Sequence, residues 1–117
     1  LRFADAIKLQ IKLDDSCRNA LVPPMLMLPL VENAIKYGWS QKMTGEVNIF
    51  ALKHNQMLKI VIRNYKVAEE SKIGTGTGLK NTQQRLLFIY GDDASLETTD
   101  HDLYFEAEVN IPWEEQL

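Results

Sequence analysis

Three polar residues that could handle a metal-bound phosphate crowd one side of a single apolar segment. They are Glu32, Asn33 and Lys36, within Leu28-Pro29-Leu30-Val31-Glu32-Asn33-Ala34-Ile35-Lys36-Tyr37-Gly38. On a helix turning about 100° per residue, they project within an arc of roughly 100°. A carboxylate, an amide oxygen and an ammonium together could hold a magnesium ion and the phosphates it bridges. Magnesium takes few protein oxygens plus substrate phosphate, which suits one Asn better than a cage of acids. An amphipathic helix with a Glu–Lys pair at i,i+4 on its wet face is the plainer alternative.

A second constellation is Gly74-Thr75-Gly76-Thr77-Gly78-Leu79-Lys80-Asn81. Three alternating glycines ahead of a helix expose backbone N–H groups at its positive end, where an anion can sit. The spacing is neither a Walker P-loop, since no Gly-Lys-Ser/Thr follows, nor a dinucleotide fingerprint in a tight strand–helix turn. A flexible linker that caps a helix would look the same. His54 falls in an expected hairpin loop and His101 in a turn, so neither is assigned a catalytic role.

The elements that must position these groups follow from the periodicity. Ala6 to Leu13 alternates, with Ile7, Leu9, Ile11 and Leu13 on one side, and reads as a half-buried strand. Pro23-Pro24 can open a helix over Met25 to Tyr37, with Gly38 as its stop; Pro29 either kinks it or marks its true start. Val47–Leu52 and Met57–Ile62 read as an antiparallel hairpin. Asn64 to Thr77 reads as a long functional loop, least ordered from Tyr65 to Gly76. A second helix is expected from Gly78 to Tyr90, with Leu79, Leu86, Leu87 and Ile89 buried and Gly91 ending it. Strands at Ala94–Thr98 and Leu103–Ile111, around a turn at Thr99–Asp102, close the chain. The expectation is an α+β fold: a two-layer sandwich with helices on one face of a mixed, mostly antiparallel sheet.

Composition narrows the function classes. The chain has 117 residues, 45% hydrophobic and 25% charged, which fits one soluble domain with one core. A net charge of -3 gives no nucleic-acid surface, so a bound polyanion must be held locally. The single cysteine, Cys17, excludes an internal disulfide and a CxxC metal site, and fits a reducing compartment. No apolar run is long enough to span a bilayer. The chain opens at Leu1-Arg2-Phe3 without Met and reads as an excised piece of something longer.

Taken together, the two constellations resemble a known family. Leu28 to Gly38 resembles the N box of sensor histidine kinases, and Val22-Pro23-Pro24 with Pro29 ahead of Leu30-Val31-Glu32-Asn33 is similar to the LytS-like branch. Gly74 to Asn81, Arg85-Leu86 and Tyr90-Gly91 resemble that branch's G2 box and the helix after it. Residues 1–5 resemble the tail of a linker from a missing dimerisation domain, leaving a single ATP-binding domain over 1–117. The resemblance implies the GHKL fold of gyrase, Hsp-type chaperones, histidine kinases and MutL, with ATP beneath a mobile lid.

Position by position, it implies that Asn33 chelates magnesium and that Glu32 orients or activates at the phosphate end. Lys36 would lie near the phosphates and Tyr37 beside the base or ribose. Gly74, Gly76 and Gly78 would let the lid approach the phosphates, with Thr77 and Leu79 in the same box and Asn81 and Arg85 on the helix after it. The family's Asp-x-Gly box should follow the Met57–Ile62 strand, where the chain reads Arg63-Asn64-Tyr65-Lys66. Asn64 stands for the Asp whose carboxylate accepts from the adenine amino group; an amide oxygen can accept one hydrogen bond without a charge. Alternatively, Asn64 is a strand-ending turn residue. The implied reaction moves the ATP γ-phosphate to a histidine upstream, for relay to a response regulator. The implied parent is membrane-bound, with this domain in the cytoplasm and off the membrane. A non-catalytic nucleotide sensor and another GHKL ATPase are the alternatives.

Overall fold

The computed structural model describes residues 7–38, 45–65 and 77–114. The expected loop from Tyr65 to Gly76 lies outside them beyond Tyr65, and with it the expectation of disorder there. The described chain runs β1 (Ile7–Leu13), α1 (Pro24–Gly38), β2 (Gly45–His54), β3 (Met57–Tyr65), α2 (Thr77–Tyr90), β4 (Ser95–Asp100) and β5 (Tyr104–Pro112). Short 3-10 turns at Asp15–Cys17 and Gly91–Asp93 punctuate it. The five strands form one sheet in the order β1-β2-β3-β5-β4. β1 pairs with β2 in parallel, and the other neighbours are antiparallel. The expected α+β sandwich with a mixed, mostly antiparallel sheet is the observed one.

Each helix has a topological duty. Adjacent parallel strands cannot be joined by a tight turn, so α1 carries the chain from the end of β1 back to the start of β2. β3 and β4 both run antiparallel to β5 and are therefore parallel to each other, with α2 between them in sequence. Both connections step across the sheet in the same direction, but β1 and β3 point opposite ways. Because α1 packs on α2 over one face, the two crossovers have opposite hands. One of them is therefore left-handed, against the strong general preference.

The core lies between that face and the helices. β3 alternates strictly, with Leu58, Ile60, Ile62 and Asn64 buried. Their partners Ile111, Val109 and Ala107 on β5 and Val47 on β2 are buried on the same side. From the helices, Leu26, Leu30 and Ala34 of α1 and Leu86 of α2 close the layer. The opposite sheet face carries ion pairs: Arg63 to Glu106 at 2.7 Å and Lys59 to Glu108 at 3.6 Å.

Several boundaries differ from the sequence reading, each for a physical reason. Pro29 lies inside α1 and does not start it. It stands in the second turn, where its missing N–H costs the helix the bond to the carbonyl of Met25. β3 runs on through Asn64 and Tyr65, and β4 through Thr99 and Asp100, because β5 offers each a ladder partner. Leu87 and Ile89, expected inside, are 61% and 44% exposed. Four consecutive apolar residues, Leu86 to Ile89, sweep most of a helical turn, and only Leu86 can face the sheet. Ile11 and Leu13 are also exposed, since β1 is the sheet edge. Gly91, at φ +61°, ends α2 as expected.

Truncating Leu26, which is 0% exposed, should therefore be costly. Leu26→Ala is expected to lower unfolding stability by about 2–5 kcal/mol. Phe88→Ala, at a site 89% exposed, should change it by less than about 0.5 kcal/mol. Urea denaturation of both variants checks the assignment of the inward faces.

Candidate functional site

α1 presents two unlike faces, and Asn33 sits where they meet. Leu26, Leu30 and Ala34 recur every four residues and fix the buried stripe. Glu32 falls on the far side and is exposed, while Asn33, next to Ala34, is half-buried at the stripe's border. An amide held at such a border can reach a ligand without being fully hydrated. Lys36 and Tyr37 lie on the last turn of α1, where only the backbone is described. Glu32, Asn33 and Lys36 thus all lie on α1, with Asn33 nearer the packed layer than Glu32.

Asn64 differs most from a turn residue. It is the penultimate residue of β3, 1% exposed, and paired in register with Val47 and Phe105. The alternation that sends Leu58, Ile60 and Ile62 toward the helices sends Asn64 there too. Its Nδ2 is buried with no hydrogen-bond partner among the described residues. A buried donor left unpaired costs about 1–3 kcal/mol, so it marks a place where an acceptor is missing.

The neighbouring Arg63 points the opposite way. Its Nε and Nη2 donate to Glu106 Oε1 at 2.9 and 2.7 Å, and its guanidinium lies 4.4 Å from the Tyr104 ring centroid. The hydrogen bond that Arg63 donates to Glu106 leads the causes that hold Arg63 above its ordinary pKa. This cation is therefore committed on the open face and plays no part on the helix side.

Of the glycine-run residues, Gly74 and Gly76 lie outside the described residues. Thr77 and Gly78 are the first residues of α2, two positions into what the sequence suggested was loop and helix start. Leu79 is half-buried against the core, anchoring the first turn, while Asn81 and Arg85 are exposed. The α1–α2 and α1–β3 packings bring these elements together around one side of the sheet. Thr82, 1% exposed, went unnoticed in the sequence. Its signal was the spacing Leu79, Thr82, Leu86, which places a hydroxyl in the inward stripe of α2.

Among the described residues no three His, Cys, Asp or Glu side chains cluster as a metal cage. A magnesium ion here would take most of its oxygens from phosphate and water, which suits Asn33 as a lone amide ligand. His54 ends β2 and His101 follows β4, both exposed; His101 stacks on Tyr104 at 4.6 Å. An open groove of about 430 Å³ between α2 and β4, lined in part by Gln83, Leu87 and Leu96, contains none of the expected site residues.

No family model matches the chain. It is 32% identical over 126 aligned positions to the sensor protein LytS of Staphylococcus saprophyticus, covering 96% of this chain and 21% of that protein. Against the sensor protein LytS of Staphylococcus haemolyticus the identity is 28%, over 95% of this chain and 21% of the relative. The chain thus spans about a fifth of the length of these curated relatives. Among solved structures, it is similar to the nucleotide-free catalytic domain of histidine kinase ThkA. There the TM-score is 0.74 at 16% identity, covering 98% of this chain and 85% of that one. A blue-light activated histidine kinase of Erythrobacter litoralis superposes with a TM-score of 0.65 at 18% identity, over 95% of this chain and 39% of that one.

If the unpaired Nδ2 of Asn64 is a cost borne by the ligand-free fold, removing it should help folding. Asn64→Leu, close in shape and apolar, is expected to raise stability without nucleotide by about 1–3 kcal/mol. A structural Asn would give the opposite sign in the same denaturant titration.

Proposed function

We propose that this chain, a LytS-like histidine kinase catalytic domain by both sequence and fold, binds ATP with magnesium and donates the γ-phosphate to a histidine on a separate domain of its kinase. The observation that carries this reading is that sequence likeness and fold likeness cover the same stretch, 96% and 98% of the chain. Residues 1–5 would be the tail of a linker from the dimerisation and phospho-acceptor domain, leaving 1–117 as one ATP-binding domain. The parent would sit in a membrane with this domain in the cytoplasm, as the likeness to sensor proteins suggests; among the described residues no helix is long and apolar enough to cross a bilayer. A complex of ThkA with the response regulator TrrA is among the structural neighbours, which supports a response regulator as the downstream partner.

In this reading each side chain has one task. Asn33 would hold the metal through its amide oxygen at the border of the packed layer, and bound magnesium would supply charge neutralisation for the phosphates. Glu32, exposed on the adjacent position, orients the incoming imidazole or takes its proton, which suits an acceptor arriving from another domain. Lys36 pairs with phosphate oxygens, and Tyr37 flanks the base or ribose. Gly74, Gly76, Thr77 and Gly78 bring backbone N–H groups and the N-terminus of α2 against the anion. Leu79 fixes that terminus to the core, and Asn81 and Arg85 border it. Asn64 meets the base. Little covalent work is asked of the protein, because phosphoryl transfer depends mainly on positioning and charge stabilisation.

A non-catalytic nucleotide sensor would use the same fold, and Asn64 in place of the expected Asp is the observation that favours it. Calorimetry with magnesium and ATP should give binding at about millimolar affinity or tighter. Neither His54 nor His101 of the isolated chain should acquire acid-labile phosphate. In the full-length kinase, Asn33→Asp should leave the melting temperature unchanged and lower autophosphorylation by about two orders of magnitude or more. Normal folding with undiminished activity would remove Asn33 from the site.

A further inference from the structure

Among the described strands, β1 and β4 each have one neighbour, so both margins of the sheet present backbone N–H and C=O groups without a ladder partner. The two margins differ in chemistry. β1 reads Ile7-Lys8-Leu9-Gln10-Ile11-Lys12-Leu13, with apolar and polar residues in strict alternation. Ile11 and Leu13 are in register with Ile49 and Ala51, which pack against the core, yet they are 55% and 64% exposed. β4 reads Ser95-Leu96-Glu97-Thr98-Thr99-Asp100. Its Glu97 is exposed and stands directly opposite Glu108 of β5, a like-charged cross-strand pair. Leu96, opposite buried Val109, lines the open groove between α2 and β4 together with exposed Leu87. Among the described residues neither Lys12 nor Glu97 takes part in an ion pair.

We propose that the β1 edge of one molecule pairs with the β4 edge of a second copy of this chain, so that one sheet continues into the next. β1 and β4 run in opposite directions, so two copies side by side in the same orientation meet as antiparallel strands. Lys12, Phe50, Val61, Glu108 and Glu97 form one row across the sheet, and Leu13, Ala51, Ile60, Val109 and Leu96 form the next. Straight lateral continuation therefore sets Lys12 opposite Glu97, Leu13 opposite Leu96, Ile11 opposite Thr98 and Gln10 opposite Thr99. The ammonium offsets the Glu97–Glu108 repulsion, while Leu13 meets the groove beside Leu87. Pairing of like edges is disfavoured. Two β1 edges joined about Gln10 put Lys8 opposite Lys12, and two β4 edges joined about Glu97 put that carboxylate opposite its copy. Because the edges are different surfaces, the contact is head to tail and does not close on a dimer.

One strand edge is smaller than a standard interface, so association is sought by sedimentation equilibrium at low salt up to about 1 mM chain. The average mass should rise past that of a dimer without levelling off. Lys12→Glu and Glu97→Lys, both at exposed positions, should keep the melting temperature and each weaken association about tenfold or more. The double variant should recover it, because every contact regains opposite charges. A chain that stays monomeric, a mass that levels off at the dimer, or single variants that associate undiminished each overturns the proposal. So does a double variant as weak as the single ones. Register is read separately in a Cys17→Ser background. Oxidation should link Gln10→Cys chains to Thr99→Cys chains and leave Gln10→Cys with Ser95→Cys unlinked; equal linking of both mixtures, or of neither, overturns the pairing. If a charge variant does not fold, this cross-linking decides alone.

Discussion

Strand periodicity is the constraint from which the site follows. Side chains alternate along β3, so once Leu58, Ile60 and Ile62 face the helices, residue 64 must face them as well. It cannot turn outward without slipping the whole strand and exposing three core residues. The chain places an amide there, and its nitrogen has no partner among the described residues under a packed layer. The apolar row thereby acts as a ruler that delivers one polar group to a fixed depth. Arg63, one position earlier, is delivered with equal certainty to the other face and neutralised there by Glu106.

The helices depend on the same sheet for a different reason. A parallel β1–β2 pair and a parallel relation of β3 to β4 each require a crossover, and α1 and α2 supply them. Placing both on one face forces one crossover into the disfavoured hand. That arrangement brings the border of α1, the first turn of α2 and the end of β3 to one layer. It also leaves the opposite face without a helical cover among the described residues, and the charges of Lys59, Arg63, Glu106 and Glu108 fit that exposure.

Much of this was legible in the residues. Periodicity located β2, β3 and α1, and the structure shows the inward stripe of α1 to be Leu26, Leu30 and Ala34. The Glu32-Asn33 pair was placed on a helix correctly because neither residue interrupts that stripe. Asn64 was harder. Asn favours strand ends and turns, and the preference conceals a buried position unless the partner strand is known; β5 lies about forty residues away in sequence. Likewise Leu87 and Ile89 are as apolar as Leu86, and only the direction of the sheet decides among them. The strand order β1-β2-β3-β5-β4 and the unlike hands of the crossovers are relations between distant segments that no local pattern encodes.

Stability and binding pull apart at residue 64. Apolar packing would favour a leucine there, and the helix-facing positions before it show that the strand accepts one. An amide whose nitrogen has no partner among the described residues is a cost to the fold that an arriving acceptor would remove. The same reasoning separates Asn64 from Asn48, whose Oδ1 is also buried and unpaired but which faces the other side with Arg63. On that side a donor-rich surface could satisfy it, so Asn48 says nothing about a base. Unpaired polarity is informative in proportion to how completely the surroundings exclude other partners, and by that measure Asn64 ranks first among the described residues.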